Sequence, residues 1–203
     1  MALANYTDLK AAVSSWLHRD DLAAQVPDFI ALAEARLNRK MRTRQQMTTA
    51  TVSATAGVAE LALPSGWLQS IRVRMAAPDA ALEFMPAAQF QAKFPTADRG
   101  LPNNFTIQGA SLLLGPTPDA AYSVEHVYFA SIPALSDVSP TNWVLTAWPS
   151  LYLFAALAEA APFIGDDERA AMWEAKFSVE LSAALDADVN ARVSGSALRI
   201  RAR

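Results

Sequence analysis

Two histidines, a few paired acids and one run of bases are the side chains whose types and spacing invite a chemical reading. His18 falls at the end of a helical stripe and His126 inside a strand-like run, with no HExxH or comparable spacing to join either to other metal ligands. Asp166-Asp167-Glu168 is the densest carboxylate cluster, and two acids across a cleft can cleave a glycosidic bond. The same three residues follow Gly165, so they also read as the acidic first turn of a helix, complementing its dipole. Asp20-Asp21 reads as a helix break. Glu34, four residues before Asn38 and near Arg36, has the pattern of a solvated face. The chain contains no GxxxxGK[ST], GxGxxG or GxSxG, and no cysteine, which removes thiol nucleophiles, disulfides and Cys-zinc sites. The expectation is a protein that is not an enzyme, with no catalytic residue, metal or cofactor. A carboxylate-dependent cell-wall hydrolase is the enzymatic alternative.

The bases are more suggestive. Arg36, Arg39, Lys40, Arg42 and Arg44 crowd the C-terminal half of a helical stripe, where the helix dipole favours cations. They form a candidate basic surface facing another subunit or DNA, and a DNA-binding module is the second alternative. Arg72 and Arg74 alternate with Ile71, Val73 and Met75 and give a strand a cationic outer face. The last stretch, ARVSGSALRIRAR, holds four arginines and no acid around a Ser-Gly-Ser hinge. Leu198 and Ile200 cannot build a core there, so the segment reads as a flexible tail that orders on a partner, its leucine and isoleucine filling pockets and its arginines meeting acids.

The elements that must position these groups follow from periodicity. Leu9, Val13, Trp16 and Leu17 make a first helical stripe, with Thr7 as its cap. Val26-Pro27-Asp28 opens a second helix, whose buried face is Phe29, Ile30, Ala33, Leu37 and Met41. These two are expected to form an antiparallel hairpin. From Thr48 the period changes to two. Thr48–Thr55 reads as a strand, turned by Ala56-Gly57, with Val58–Leu63 returning. Ile71–Met75 and Leu82–Phe84 are further strands, and Pro86–Phe94 a short helix with Phe90 and Phe94 on one face. Phe105–Gln108 and Ser111–Leu114 flank Gly109-Ala110 as a hairpin, and Tyr122, Val124, His126 and Tyr128 share one face of a last strand. Trp143 and Trp148 precede a third helix from Pro149 that is apolar on most sides. A fourth, with Met172, Trp173, Phe177, Leu181, Ala184 and Leu185 on its stripe, runs to about Val189.

The expected fold class is therefore α+β. A four-helix bundle is built from the two chain ends, with an inserted antiparallel β sandwich or barrel-like subdomain and a flexible C-terminal tail. The boundaries are 1–46 for the opening helical hairpin, 47–135 for the β subdomain, 136–190 for the closing helices and 191–203 for the tail. A chain of 203 residues can bury a core without staples, and a net charge of −3 argues against a generally basic nucleic-acid binder. No signal peptide is expected from MALANYTDLK. The longest apolar run, 151–162 with Glu159 inside it, falls short of the roughly 20 residues a bilayer requires.

Three stretches resemble one family. YTDLKAAVSSWLHRDDLAAQVPDFIALAEARLNRKMRTR is similar to the opening helical hairpin of head-to-tail adaptor (connector) proteins of short-tailed bacteriophages. ALPSGWLQSIRVR and LPNNFTIQGASLLLGPTPDAAYSVEHVYF resemble their β insertion, and TNWVLTAWPSLYLFAALAEAAPFIGDDERAAMWEAKF their closing helices. Tail tubular protein A of related phages has a similar layout. The resemblance implies a virion protein, made in the host cytoplasm and placed at the head-tail junction. It implies a homo-oligomeric ring, typically of twelve subunits, under the portal protein. Such a ring passes double-stranded DNA during ejection and carries nozzle or other tail proteins, without a membrane. It also implies a portal-docking tail, here Arg192, Ser194, Gly195, Leu198, Arg199, Ile200, Arg201 and Arg203.

Overall fold

The structure is a computed structural model that describes residues 3–95, 98–165 and 167–193, and the side chains of all of these but Asp20, Asp167 and Glu168. It is a mixed α+β protein, with six α-helices among the described residues and one nearly closed, barrel-like sheet. The described residues fall into two compact units. One lies within Met1–Gln45 and Ile132–Arg203, the other within Gln46–Ser131.

The first unit is helical. Helix α1 (Tyr6–Leu17) is capped by Asn5, whose side chain accepts from the Asp8 N–H, so Thr7, the cap expected from the sequence, lies inside the first turn. Asn5 wins because its backbone is extended and its amide oxygen reaches the third residue on. His18 ends α1 in the left-handed conformation (φ 54°) and closes the last turn with its own N–H, as a C-cap. Helix α2 (Val26–Lys40) carries Pro27 in its first turn, as the sequence predicts. The unit's remaining helices are α4 (Trp143–Ala147), α5 (Pro149–Ile164) and α6 (Asp167–Val193). Helix α5 packs against α1, α2, α4 and α6, which accounts for its apolar character on nearly every side. Gly165 stops it with φ 68°, a conformation that only glycine adopts without strain. Trp16, Phe154 and Trp173, one from each of α1, α5 and α6, form an aromatic cluster with ring centroids 5.6–6.0 Å apart, Phe154 and Trp173 stacked and Trp16 inclined to both. Two expectations change here. Among the described residues the unit contains five α-helices, including the short α4, and α6 continues past Val189 to Val193.

The second unit is the sheet. Strands β1 (Met47–Ala54), β2 (Glu60–Ala62), β3 (Trp67–Ala76) and β4 (Asp79–Phe84) precede helix α3 (Ala87–Lys93). Then come β5 (Arg99–Gly100), β6 (Asn104–Gln108), β7 (Ser111–Gly115), β8 (Thr117–Pro118) and β9 (Tyr122–Ala130). Seven of them form a sheet in the order β1-β9-β3-β4-β6-β7-β2, and β5 pairs with β8 separately. The end strands β1 and β2 touch, which nearly closes the sheet on itself. Its core is Ala54, Val73, Met75, Phe105, Leu112, Leu114 and Val124 with their neighbours.

The sheet departs from the sequence reading in two ways. The expected β1–β2 return does not form a pair, because β1 takes β9 as its partner over all eight residues, Met47↔Phe129 through Ala54↔Tyr122. The sheet is also not purely antiparallel, since β4–β6 and β5–β8 are parallel. The β6–β7 hairpin forms as expected around Gly109 (φ 60°).

Candidate functional site

Helix α2 carries the groups that the sequence singled out, and the structure sorts them by depth. Glu34, expected on a solvated face, is buried. Its Oε1 accepts the Leu135 N–H at 2.7 Å and the Tyr152 hydroxyl at 3.2 Å. The Asn142 side-chain amide in turn donates to the Tyr152 hydroxyl and to the Pro133 carbonyl, 2.7 Å each. One turn along α2, the Asn38 side chain accepts the Ile132 N–H at 2.8 Å. Glu34 and Asn38 are thus spaced to catch the backbone of the returning chain, whose N–H groups would otherwise be buried without partners. An i, i+4 pattern cannot tell water from a buried segment distant in sequence, which is why the sequence missed this.

Burial pushes the Glu34 carboxyl up from its ordinary 4.5, against its two hydrogen bonds. The same burial, with Glu34 beside it, pushes the Tyr152 hydroxyl up. Between 4.5 and the raised value the folded chain holds a proton that the unfolded chain has released. The contribution of Glu34 to stability is therefore full below 4.5 and is lost as pH rises through the folded value. Glu34→Gln keeps the acceptor oxygen and removes the charge. Its denaturation midpoint is expected to gain on that of the natural protein as pH rises from 4 to 8. Midpoints that move in parallel across that range would show that Glu34 carries no such burden.

Arg36, read as part of the basic surface, is used within the chain. Its guanidinium bridges Glu159 of α5, at 3.2 Å, and Glu174 of α6, and lies over the Phe177 ring, 4.3 Å from its centre. Arg36 is 14% exposed, and the ion triad and the aromatic face together account for its position. Lys40 reaches the same ring from 5.8 Å, while Arg39 is exposed.

Beyond Lys40 the remaining bases gather around one acid. Helix α2 ends at Lys40, and Arg42 donates back to the carbonyls of Asn38 and Met41 at 2.7 and 2.6 Å. Asp188 of α6 is 7% exposed. Its Oδ1 accepts the Arg44 N–H at 3.1 Å and faces the Arg44 guanidinium at 3.6 Å, and its Oδ2 pairs with Arg192 at 2.8 Å. Arg192 also donates to the Arg42 carbonyl at 3.0 Å. A cavity of about 220 Å³ opens beside this cluster, with Trp148, Ala147, Ala184 and Ala187 in its wall. Arg192, assigned to the tail by sequence, is therefore a helical residue tied to the ends of α2 and α6. Ser194, Gly195, Leu198, Arg199, Ile200, Arg201 and Arg203 lie outside the described residues.

The other chemical candidates resolve as structure. His126 is buried on β9, where burial lowers its pKa below the ordinary 6.5. The Trp67 indole donates to Ser70 Oγ at 3.1 Å, and Ser70 Oγ lies 2.8 Å from His126 Nε2. Ser70 accepts from the indole and shares a hydrogen bond with Nε2, which holds the imidazole in place on the strand. Arg72 and Arg74 share Glu125 across the β3–β9 pair, at 3.3 and 3.7 Å. Arg19 and Asp21 pair locally at 2.7 Å. Among the described residues no group of three or more acids and histidines has metal-binding geometry, and no helix is long and apolar enough to cross a membrane. Asp166 and the side chains of Asp167 and Glu168 lie outside the described residues.

Helix α6 shows a second feature that the sequence reading did not mark. Its inner stripe, Trp173, Phe177, Leu181 and Ala184, is buried. Its outer face repeats at alternating steps of three and four: Met172, Ala175, Val179, Ser182, Asp186, Val189 and Val193, all exposed. That spacing is the seam of a coiled coil, and near its start Ala175 and Val179 line a groove with Phe154 of α5.

The geometry is that of a packed helical unit with an exposed helix seam and a cluster of bases around Asp188, and of a separate small sheet unit. No curated protein matches the chain. Residues 4–201 match the sequence model of a family described as SU10 adaptor protein, which takes in the sheet and every described helix. The chain therefore belongs to the SU10 adaptor protein family, whose members are structural adaptors of bacteriophages.

Proposed function

We propose that this protein is a head-to-tail adaptor that assembles as a ring, of about twelve copies as such rings have, beneath the portal of a phage capsid. The observation that carries the reading is the family match, which runs from residue 4 to residue 201 and so spans both units and most of the tail segment. The exposed seam of α6 supplies the subunit contact. Its small side chains let a neighbouring helix approach closely, and its length of six turns gives the contact enough surface. The segment after Val193 anchors the ring on the portal, with Leu198 and Ile200 in pockets and the arginines against acids. The sheet unit faces the nozzle or next tail protein. Double-stranded DNA passes through the ring during ejection. Arg36 has no part in that passage, since its charge is spent on Glu159 and Glu174, whereas Arg39 is exposed and available.

Electron microscopy of the protein co-expressed with the portal of the same genome tests this. The full chain is expected to give a ring stacked on the portal. A chain ending at Val193 keeps every described residue, including the Arg192–Asp188 pair, and is expected to keep its melting curve and lose the portal. A truncated chain that still docks would move the anchor to the helical unit. A full chain that never associates with the portal would overturn the adaptor reading.

A further inference from the structure

Strand β4 ends before either of the two strands beside it does. It pairs antiparallel with β3 through Val73–Ala76 and parallel with β6 through Asn104 and Phe105, and it ends at Phe84. Past that end β3 continues through Trp67–Ile71 and β6 through Thr106–Gln108, both in the direction that β4 was taking. Among the described residues no strand lies between these two stretches. The sheet thus has one strand position that is occupied for half its length and open for the other half.

The open half is built as a seat. It is a cavity of about 420 Å³, lined by Trp67, Leu68, Ile71, Phe84, Phe105 and Ile107. Phe84 is 61% and Ile71 42% exposed, a large apolar surface for a soluble sheet to leave bare. Phe84 stands edge-on to Phe105, with centroids 5.6 Å apart, and the pair closes one end. The β3–β9 register slips twice, between Trp67 and Gln69 and again between Ser70 and Arg72. The extra residues are Leu68 and Ile71, and both line the seat. Bulges of this kind re-aim side chains, and here they turn two apolar ones toward the gap.

The occupant that fits such a gap is one extended strand with apolar residues at alternate positions. A sequence of that pattern lies in this chain outside the described residues. Residues 198–203 read Leu-Arg-Ile-Arg-Ala-Arg, a strict two-residue alternation over six positions. In an extended strand Leu198, Ile200 and Ala202 fall on one face and the three arginines on the other. There is no proline in it to interrupt a ladder. We propose that the seat between β3 and β6 takes residues 198–203 of a second copy as an added strand, with Leu198 and Ile200 on its apolar floor. This concerns the protein before it meets a portal, and it does not depend on the adaptor reading.

The test uses the full chain carrying Leu198→Asp and Ile200→Asp, which keeps the seat and disables its own tail. A labelled peptide of residues 194–203, SGSALRIRAR, is titrated with it and read by fluorescence anisotropy. Saturable binding is expected. Phe84→Asp in the same chain is expected to weaken it about tenfold or more, with an unchanged melting curve, because Phe84 is already mostly exposed. A peptide with Leu198 and Arg199 exchanged keeps composition and charge but breaks the alternation, and should weaken binding as much. In sedimentation velocity, the natural chain should form a faster species with rising concentration that the Leu198→Asp, Ile200→Asp chain lacks. No binding of the peptide, or binding indifferent to Phe84→Asp and to the exchange, would overturn the proposal. Self-association that persists without Leu198 and Ile200 would overturn the second-copy assignment and return the contact to the α6 seam.

Discussion

Phe177→Ala should destabilise the helical unit by about 3–5 kcal/mol, the range for deleting a fully buried phenylalanine. Phe177 is among the largest side chains with no exposure, set on the inner stripe of α6 against the core that α5 centres. Two terms add. The ring's volume becomes a cavity, because α5 and α6 are held apart by their other contacts and relax only partly. The ring is also the surface on which the Arg36 guanidinium rests, with Lys40 at its margin. Without it, Arg36 keeps Glu159 and Glu174 but loses the face that orients it between them. For a chain of this length each kcal/mol moves the melting temperature by roughly 2–4 °C, so a fall of about 6–20 °C is expected. Urea denaturation followed by tryptophan fluorescence reads the change, since Trp173 lies one turn away on the same stripe. A loss under about 1 kcal/mol would mean that the site collapses freely and that the triad does not rely on the ring.

Val179→Glu, two residues further along the same helix, should do the opposite. Val179 is 68% exposed on the outer seam, so a charge there costs the isolated fold no more than about 0.5 kcal/mol, as at other surface sites. In a ring closed through that seam, the glutamate replaces an apolar side chain against a neighbour that brings Asp186 on the same face, while Lys176, the base three residues before it, lies off the seam. An unpaired buried carboxylate costs several kcal/mol per contact, and a cyclic ring repeats the cost at every interface. The expected result is a normally folded protein that no longer forms rings on a portal. Rings at the natural yield would place the subunit contact on another face and leave the α6 seam unexplained. The contrast between positions 177 and 179 comes from the helix itself, since two residues span about 200° and put the pair on opposite faces.

Much of the local structure was legible. The apolar steps of α1, α2, α5 and α6, the proline in the first turn of α2, the glycine that ends α5 and the Gly109 hairpin are all where their spacing puts them. Each is decided by residues within a few positions of one another. The exclusion of thiol chemistry likewise needed only the composition, because a missing residue type is missing in any fold.

The tertiary structure decided how these local pieces are used. Whether Glu34 meets water or the Leu135 amide depends on a segment about a hundred residues later in the chain. Arg36 looked like one more cation at a helix end until α5 and α6 brought Glu159 and Glu174 to it. Strand β1 has the pattern of a strand whichever partner it takes. It takes β9, because pairing is settled by the closure of the sheet and not by proximity along the chain. The half-empty strand position beside β4 has no sequence signal at all, since it depends on where β4 ends relative to β3 and β6, and β6 joins the sheet only after α3 and β5. Periodicity states which face of an element is apolar. Only packing states what that face meets, and on this chain the meeting points include an outer seam on α6 and a seat in the sheet that the described residues leave open.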